Sequence, residues 1–382
     1  MSAPEAVAGS RLRELIVAEI RASSGAIPFS RYMEMCLYTP DLGYYARARE
    51  QFGKAGDFYT SSDVHAVFGR LLARQFQEMW RVLGEPDEFE VIELGPGRGL
   101  FAQDVLDWTH KRFPEFARAV RYRLVETSAA SRRRLEERFG EQIKSGTVSV
   151  HTGLPELTPA ENAIVFANEL IDALPVHVLD HRGEVYVREK DSRFVEEFRE
   201  PSADLIKYVN QYSVPPQHGE RVEVCFAGMQ YMQAIARAIS GGFVILIDYG
   251  YTRAEQAAGR HLDTLMTYRR HTAGGSPYDA PGDQDITAHV NFTALIDAGR
   301  TAGLTECALL TQAQFLMGIG EPNQFADAFE ECRVPQEHAK VAMQLKHLVT
   351  PAGMGETFHV LLMSKKVPHE ITAQLSGMRF AG

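Results

Sequence analysis

The stretch Phe89–Phe101, FEVIELGPGRGLF, puts three glycines into five residues directly behind an apolar run. Glycine has no Cβ, so it lets the chain turn sharply and approach a ligand closely. After a short β-type run, such a turn opens a helix whose free N–H groups face the ligand. The spacing separates the candidate ligands. A dinucleotide fingerprint reads G-x-G-x-x-G, whereas Gly95, Gly97 and Gly99 give G-x-G-x-G. An acid, Glu93, stands two residues before the first glycine. A carboxylate there would repel a pyrophosphate and favour a ligand carrying positive charge, at least through the loop that it braces.

From Phe89 onward, short apolar runs alternate with helical patterns. The runs FEVIEL, YRLVE, VSVH, AIVFAN and GFVILIDYG predict strands, and the segments LFAQDVLDWTHKRF and SAASRRRLEERFG predict helices between the first three. Continuous apolar strands joined by helices imply a parallel sheet covered on both faces. Ligands bind such sheets at the carboxyl ends of the strands, which singles out Glu93, Glu126, Asn168 with Glu169, and Asp248. Glu126 lies 27 residues beyond Gly99, room for one helix and one strand. An acid so placed accepts hydrogen bonds from ribose hydroxyls. With Glu93, the E-x-G-x-G-x-G pattern resembles motif I of class I S-adenosylmethionine (SAM) methyltransferases. Gly95, Gly97 and Gly99 would then bring backbone amides against the methionine part of SAM.

The chain has 382 residues, 45% hydrophobic and 24% charged, with a net charge of −10. The length predicts one domain with large insertions, or two. The negative charge argues against sequence-independent nucleic-acid binding. No apolar run reaches the roughly 18 residues that span a membrane. Residues 1–20 show no signal-peptide core and carry Glu5, Glu14 and Glu19, which a transit peptide would avoid. The expected location is therefore cytoplasmic. Four scattered cysteines with no C-x-x-C pair indicate neither a disulfide framework nor a zinc site, and no metal is expected.

Ahead of the glycine loop, Leu12, Leu15, Ile16 and Ile20 recur at helical spacing until Gly25. A longer helix is expected after Ser61 or Ser62, with Val67, Leu71, Phe76 and Trp80 on its core stripe. Between AIVFAN and GFVILIDYG lie about 70 residues, more than one helix needs. Their alternation around Arg182-Gly183 predicts strand hairpins. The expected organisation is an N-terminal helical region over 1–85 and an α/β domain over 86–382, with insertions at about 175–227 and 251–290. A final strand is expected in MGETFHVLLMSKK.

The chemistry is expected in ANELIDALPVH, after the fourth run. Glu169 and Asp172 are three apart and would share a face of one helical turn. Such a pair could grip a guanidinium in a bidentate manner and take its proton after methyl transfer. The alternative makes them acids that compensate a helix dipole. Asn168 could bond the cofactor or the turn. His289 could act as a base near neutral pH or bond backbone. The polar segment TYRRHTAGGSPYDAPGDQD could cover a substrate or stay solvated, and its Arg269, Arg270 and His271 could meet an acidic patch or solvent.

GDFYTSS, VIELGPGRG, ANELIDALPVH, DYG, DITAHVNF and MGETFHVLL stand in the order seen in MidA-like (DUF185) SAM-dependent methyltransferases. This resemblance runs from about Ile27 to Lys365. It implies a class I, Rossmann-like methyltransferase fold with an inserted substrate-recognition subdomain. It further implies that Glu93, Gly95, Gly97, Gly99 and Glu126 bind SAM while Gly56, Asp57, Phe58 and Thr60 help close that site. Glu169, Asp172, Asp248, Tyr249 and His289 would surround the substrate. Eukaryotic members are complex I assembly factors understood to methylate arginine on a partner protein, so an arginine-bearing protein is the expected acceptor. Two other functions stand beside it: a small-molecule O- or N-methyltransferase, and a non-catalytic assembly factor that holds SAM as a structural ligand. The chain departs from the family at Ser62-Asp63, where many members carry Pro-Glu, and at Leu170-Ile171, where they carry aromatic residues. Both changes bear on the acceptor more than on the cofactor.

Overall fold

All five apolar runs form strands, and they assemble into one sheet. The computed structural model describes residues 3–47, 66–259, 262–269, 272–351 and 353–381. We label the strands β1 (Phe89–Leu94), β2 (Val120–Val125), β3 (Val148–His151), β4 (Ala163–Asn168), β5 (Gly242–Tyr251), β6 (Thr305–Thr311) and β7 (Phe358–Lys365). Their spatial order is 3-2-1-4-5-7-6, with Val290–Asn291 adding a short parallel pairing to β5. β1 to β5 run parallel, and β7 is antiparallel to both β5 and β6. The order reverses between β1 and β4, which opens a crevice at their carboxyl ends.

The alternation along the strands splits the core into two layers. Phe89 and Val91 of β1 face one layer, with Phe76, Phe101 and Phe166. Ile92 and Leu94 face the other, with Val165, Leu246 and Phe292. The 85/86 boundary expected from the sequence does not follow this packing. Helix Ala66–Val82 buries Phe68, Leu72 and Phe76 in the first layer, against Phe101 of helix Leu100–Arg112. It therefore belongs to the α/β domain.

The described residues ahead of it, 3–47, belong elsewhere. Helix Ala3–Ala22 turns its Leu12, Ile16 and Ile20 toward Val178, Val187 and Phe194 of the first insertion. Strand Ile27–Pro28 pairs with Gly183–Lys190, setting Ile27 opposite Val187. The insertion supplies four strands of this five-stranded antiparallel sheet, the others being His177–Asp180, Arg193–Arg199 and Arg221–Val224. The second insertion is no solvated loop: Met266–Arg269, Thr272–Ala273 and Asp285–Thr287 form a three-stranded sheet. Among the described residues, no helix is long and apolar enough to cross a membrane.

Candidate functional site

Behind β1 the chain turns through three left-handed glycines, with φ of 66° at Gly95, 53° at Gly97 and 73° at Gly99. A side chain is strained in that conformation. A Cβ at Gly95 would lie 2.8 Å from Leu170 Cδ1, and one at Gly99 would lie 2.7 Å from Leu135 Cδ2. The loop thus fits closely between the turn after β4 and the helix Ala129–Arg138. Gly95 and Gly97 line a cavity of about 420 Å³ in the crevice. Gly99 stands off it; it precedes helix Leu100–Arg112 and packs on Leu135 and Phe139.

Glu93 also stands off the cavity. It shares a sheet face with Phe89 and Val91, is only 4% exposed, and accepts 2.7 Å from the Tyr122 hydroxyl of β2. Burial pushes its carboxyl up to about 8, against the lowering effect of that hydroxyl. Its contact is with the neighbouring strand beneath the loop, not with the ligand space. Glu126, next after β2, does line the cavity. Its Oε1 accepts the Ser128 N–H at 2.7 Å. Burial raises its carboxyl; the Ser128 amide, the Arg132 charge and the Thr127 and Gly97 amides oppose that. A left-handed glycine cradle facing a half-buried acid is a lining that fits SAM.

The far side of the cavity comes from the ends of β4 and β5. The residues Glu169–Asp172 do not begin a helix, contrary to the sequence expectation. Glu169 is left-handed at φ 51°. The Ile171 and Asp172 amides donate to Asp248 Oδ2 at 2.9 and 3.2 Å, and Pro175 prevents continuation. A tight turn results, and it still points Glu169 and Asp172 into one cavity. Asp248 is 1% exposed and spends its other oxygen on the Tyr249 amide at 2.9 Å. It organises the turn from behind and is not a contact residue of the cavity. Burial, then the Asp172 and Glu169 charges, push its carboxyl well above the usual range. Asn168 likewise works through a neighbour, donating to Glu169 Oε1 at 3.0 Å.

Asp172 is the most unusual group present. Its Oδ2 accepts from the Tyr249 hydroxyl, while its Oδ1 is buried with no hydrogen-bond partner. Burial raises its carboxyl to about 6, with the Tyr249 hydroxyl and nearby amides holding it from rising further. The Tyr249 ring meets His289 edge-on, with centroids 5.3 Å apart, and both line the cavity. Tyr38, Tyr45, Tyr268, Asp285 and Phe358 are among the other residues that line it. None of these five was singled out from the sequence. The adjacent tyrosines of LGYYARA and the acid heading DITAHVNF were the available signals. Arg269 does not line the cavity; Arg270, His271, Gly56, Asp57, Phe58 and Thr60 lie outside the described residues. Among the described residues, no cluster of His, Cys, Asp or Glu is arranged for a metal ion.

Known proteins match this chain along most of its length. The human mitochondrial protein arginine methyltransferase NDUFAF7 is 28% identical over 94% of this chain and 83% of its own. Its Drosophila melanogaster homologue is 27% identical over 89% and 82%. A crystal structure from Burkholderia thailandensis, solved with S-adenosyl-homocysteine bound, superposes with a TM-score of 0.83 at 27% identity, covering 100% of this chain and 97% of that one. The cytoplasmic location expected from residues 1–20 is overturned by these curated relatives, which are mitochondrial proteins. The profile of the Methyltransf_28 family matches residues 71–308, more than half of the chain. With the strand order, the glycine cradle and Glu126 in place, the chain belongs to that family of S-adenosyl-L-methionine-dependent methyltransferases and takes SAM as its cofactor.

Proposed function

We propose that the protein methylates a guanidinium nitrogen of an arginine carried by a partner protein. The observation that carries this reading is Asp172: a buried carboxyl with one oxygen left without a hydrogen bond, on a residue that lines the cavity beside the glycine loop. Leaving such an oxygen unmatched is costly unless a cation neutralises it. Glu169 and Asp285 share the cavity, and no lysine or arginine lines it among the described residues. A planar guanidinium fork suits several carboxylates better than a compact ammonium does. The relatives named protein arginine methyltransferases support the same acceptor.

When bound, SAM supplies an electrophilic methyl carbon on its sulfonium. The chain's own residues align the nucleophile and take its proton. Glu169 and Asp172 orient the guanidinium, whose alignment with the methyl is a large part of such catalysis. Arginine is otherwise fully protonated, so the reacting nitrogen must release a proton. The Asp172 carboxylate accepts it, raised toward neutrality by burial and held in place by Tyr249. Asp248 keeps both acids in register by fixing the turn.

Mass spectrometry of the proteome from cells with and without this protein tests the proposal. Methylarginine on at least one protein is expected to disappear in its absence. No change in arginine methylation, together with loss of a methylated metabolite, would assign the enzyme to small molecules.

A further inference from the structure

Asp285 heads the motif DITAHVNF, and neither the cofactor site nor the Glu169–Asp172 pair accounts for it. It stands on strand Asp285–Thr287 of the second insertion, directly opposite Tyr268, and is 2% exposed. Its Oδ1 accepts the Ile286 amide at 2.9 Å, and its Oδ2 accepts the Tyr45 hydroxyl at 2.8 Å. Tyr45 in turn stacks on Tyr38, with ring centroids 5.7 Å apart and planes 22° from parallel. Tyr38 donates to the Ala173 carbonyl at 2.9 Å, which ties it to the turn that carries Asp172. The segment holding Tyr45 is clamped from the other end. Arg47 pairs with Asp283 and donates to the Leu42 carbonyl at 2.7 Å.

Three separated pieces of chain therefore meet around one space: residues 38–47, the turn after β4, and the second insertion. Burial, followed by the charges of Asp285 and then Asp172, pushes the Tyr45 hydroxyl well above its usual range. The same two acids act on Tyr38 and Tyr268. Both acids line the same cavity as these three tyrosines. Acids set among aromatic faces hold a cation by charge and by attraction to the ring quadrupole.

We infer that Asp285, held by Tyr45, is a specificity-determining residue: with Tyr38 and Tyr268 it forms the wall that selects a cationic acceptor opposite Asp172. This rests on the arginine reading and extends it, because the second insertion supplies the selection while the β4 turn supplies the proton acceptor. Asp172, which lines the same cavity with one buried carboxyl oxygen left without a hydrogen bond, gives the independent sign that a cation belongs there.

Calorimetry on the full chain loaded with S-adenosyl-homocysteine tests the inference, with N-acetylarginine amide as probe and N-acetylcitrulline amide as its neutral counterpart. The wild type is expected to bind the arginine probe and discriminate against citrulline. Asp285→Asn, which preserves volume and an acceptor for Tyr45, is expected to weaken the arginine probe at least about tenfold while moving citrulline and S-adenosyl-homocysteine less than about twofold. Tyr45→Phe, which leaves the carboxylate but frees it, is expected to lose a few-fold. An unchanged arginine affinity in both variants would overturn the inference alone. Equal loss of cofactor affinity would make Asp285 structural and overturn it too. Absence of arginine binding by the wild type would overturn the arginine reading and this inference with it.

Discussion

Asp172 lines the cavity with one carboxyl oxygen bonded to Tyr249 and the other buried without a hydrogen bond, and burial lifts its carboxyl to about 6. A cation is held by its ionised form, so kcat/KM is expected to rise with pH through about 6 and then level. Asp172→Asn should remove that rising limb and lower turnover at least about tenfold, about 1.4 kcal/mol in the barrier. SAM affinity, measured by calorimetry, should stay near the wild-type value. The cofactor side behaves in the opposite way. Glu126→Ala is expected to weaken SAM by about 1.5–3 kcal/mol, as for a hydrogen bond to a charged group. Gly97→Val, at a φ of 53°, should abolish SAM binding while circular dichroism shows the fold retained. Unchanged affinity in both variants would remove the loop from the cofactor site.

The pairing of β1 with β2 carries a pH-dependent element of stability. Glu93 lies buried between them, raised from its usual 4.5 to about 8. A raised carboxyl stabilises the fold fully below its unfolded value, and that contribution is lost as pH climbs through the folded value. Thermal melts of the wild type are therefore expected to fall between about pH 5 and about pH 9. Glu93→Gln, still able to accept from Tyr122, should flatten the profile and exceed the wild type at the alkaline end. Each tenfold gain in the carboxyl's proton affinity on folding corresponds to about 1.4 kcal/mol of that difference. A parallel profile for both proteins would contradict this account of Glu93. Strands such as β1 are legible in sequence because their residues bury on both faces, leaving an uninterrupted apolar run. The turn at Glu169–Asp172 is not legible, because its amides are claimed by Asp248 on β5, 76 and 77 residues away. Local spacing predicts a helix there, and a distant carboxylate decides otherwise. Strand Ile27–Pro28 is too short to show any period, and only its pairing with Val187 and Tyr186 defines it.

Across the whole molecule, the ends of the parallel strands form one side of the cavity, while the N-terminal region and the second insertion line the space opposite. The glycine-loop side of the cavity is legible because its signals are consecutive: an apolar run, spaced glycines, then an acid one βα unit later. The other side is legible only in part. The contact of Tyr45 with Asp285 joins residues 240 positions apart, which no local pattern announces. The net charge of −10 adds a long-range attraction for basic segments. Association with an arginine-bearing partner should therefore slow as salt rises, a dependence that stopped-flow binding would record. The proposed reaction moves a methyl group from SAM to arginine through the Glu169–Asp172 pair. Its most direct test is methyl transfer from labelled SAM into an extract of cells lacking the protein, followed by hydrolysis and separation of the labelled products. Label in methylarginine with the wild type, and its loss with Asp172→Asn, is the expected result. Label found in methyllysine or in small solutes, or arginine labelling undiminished by Asp172→Asn, would contradict the account.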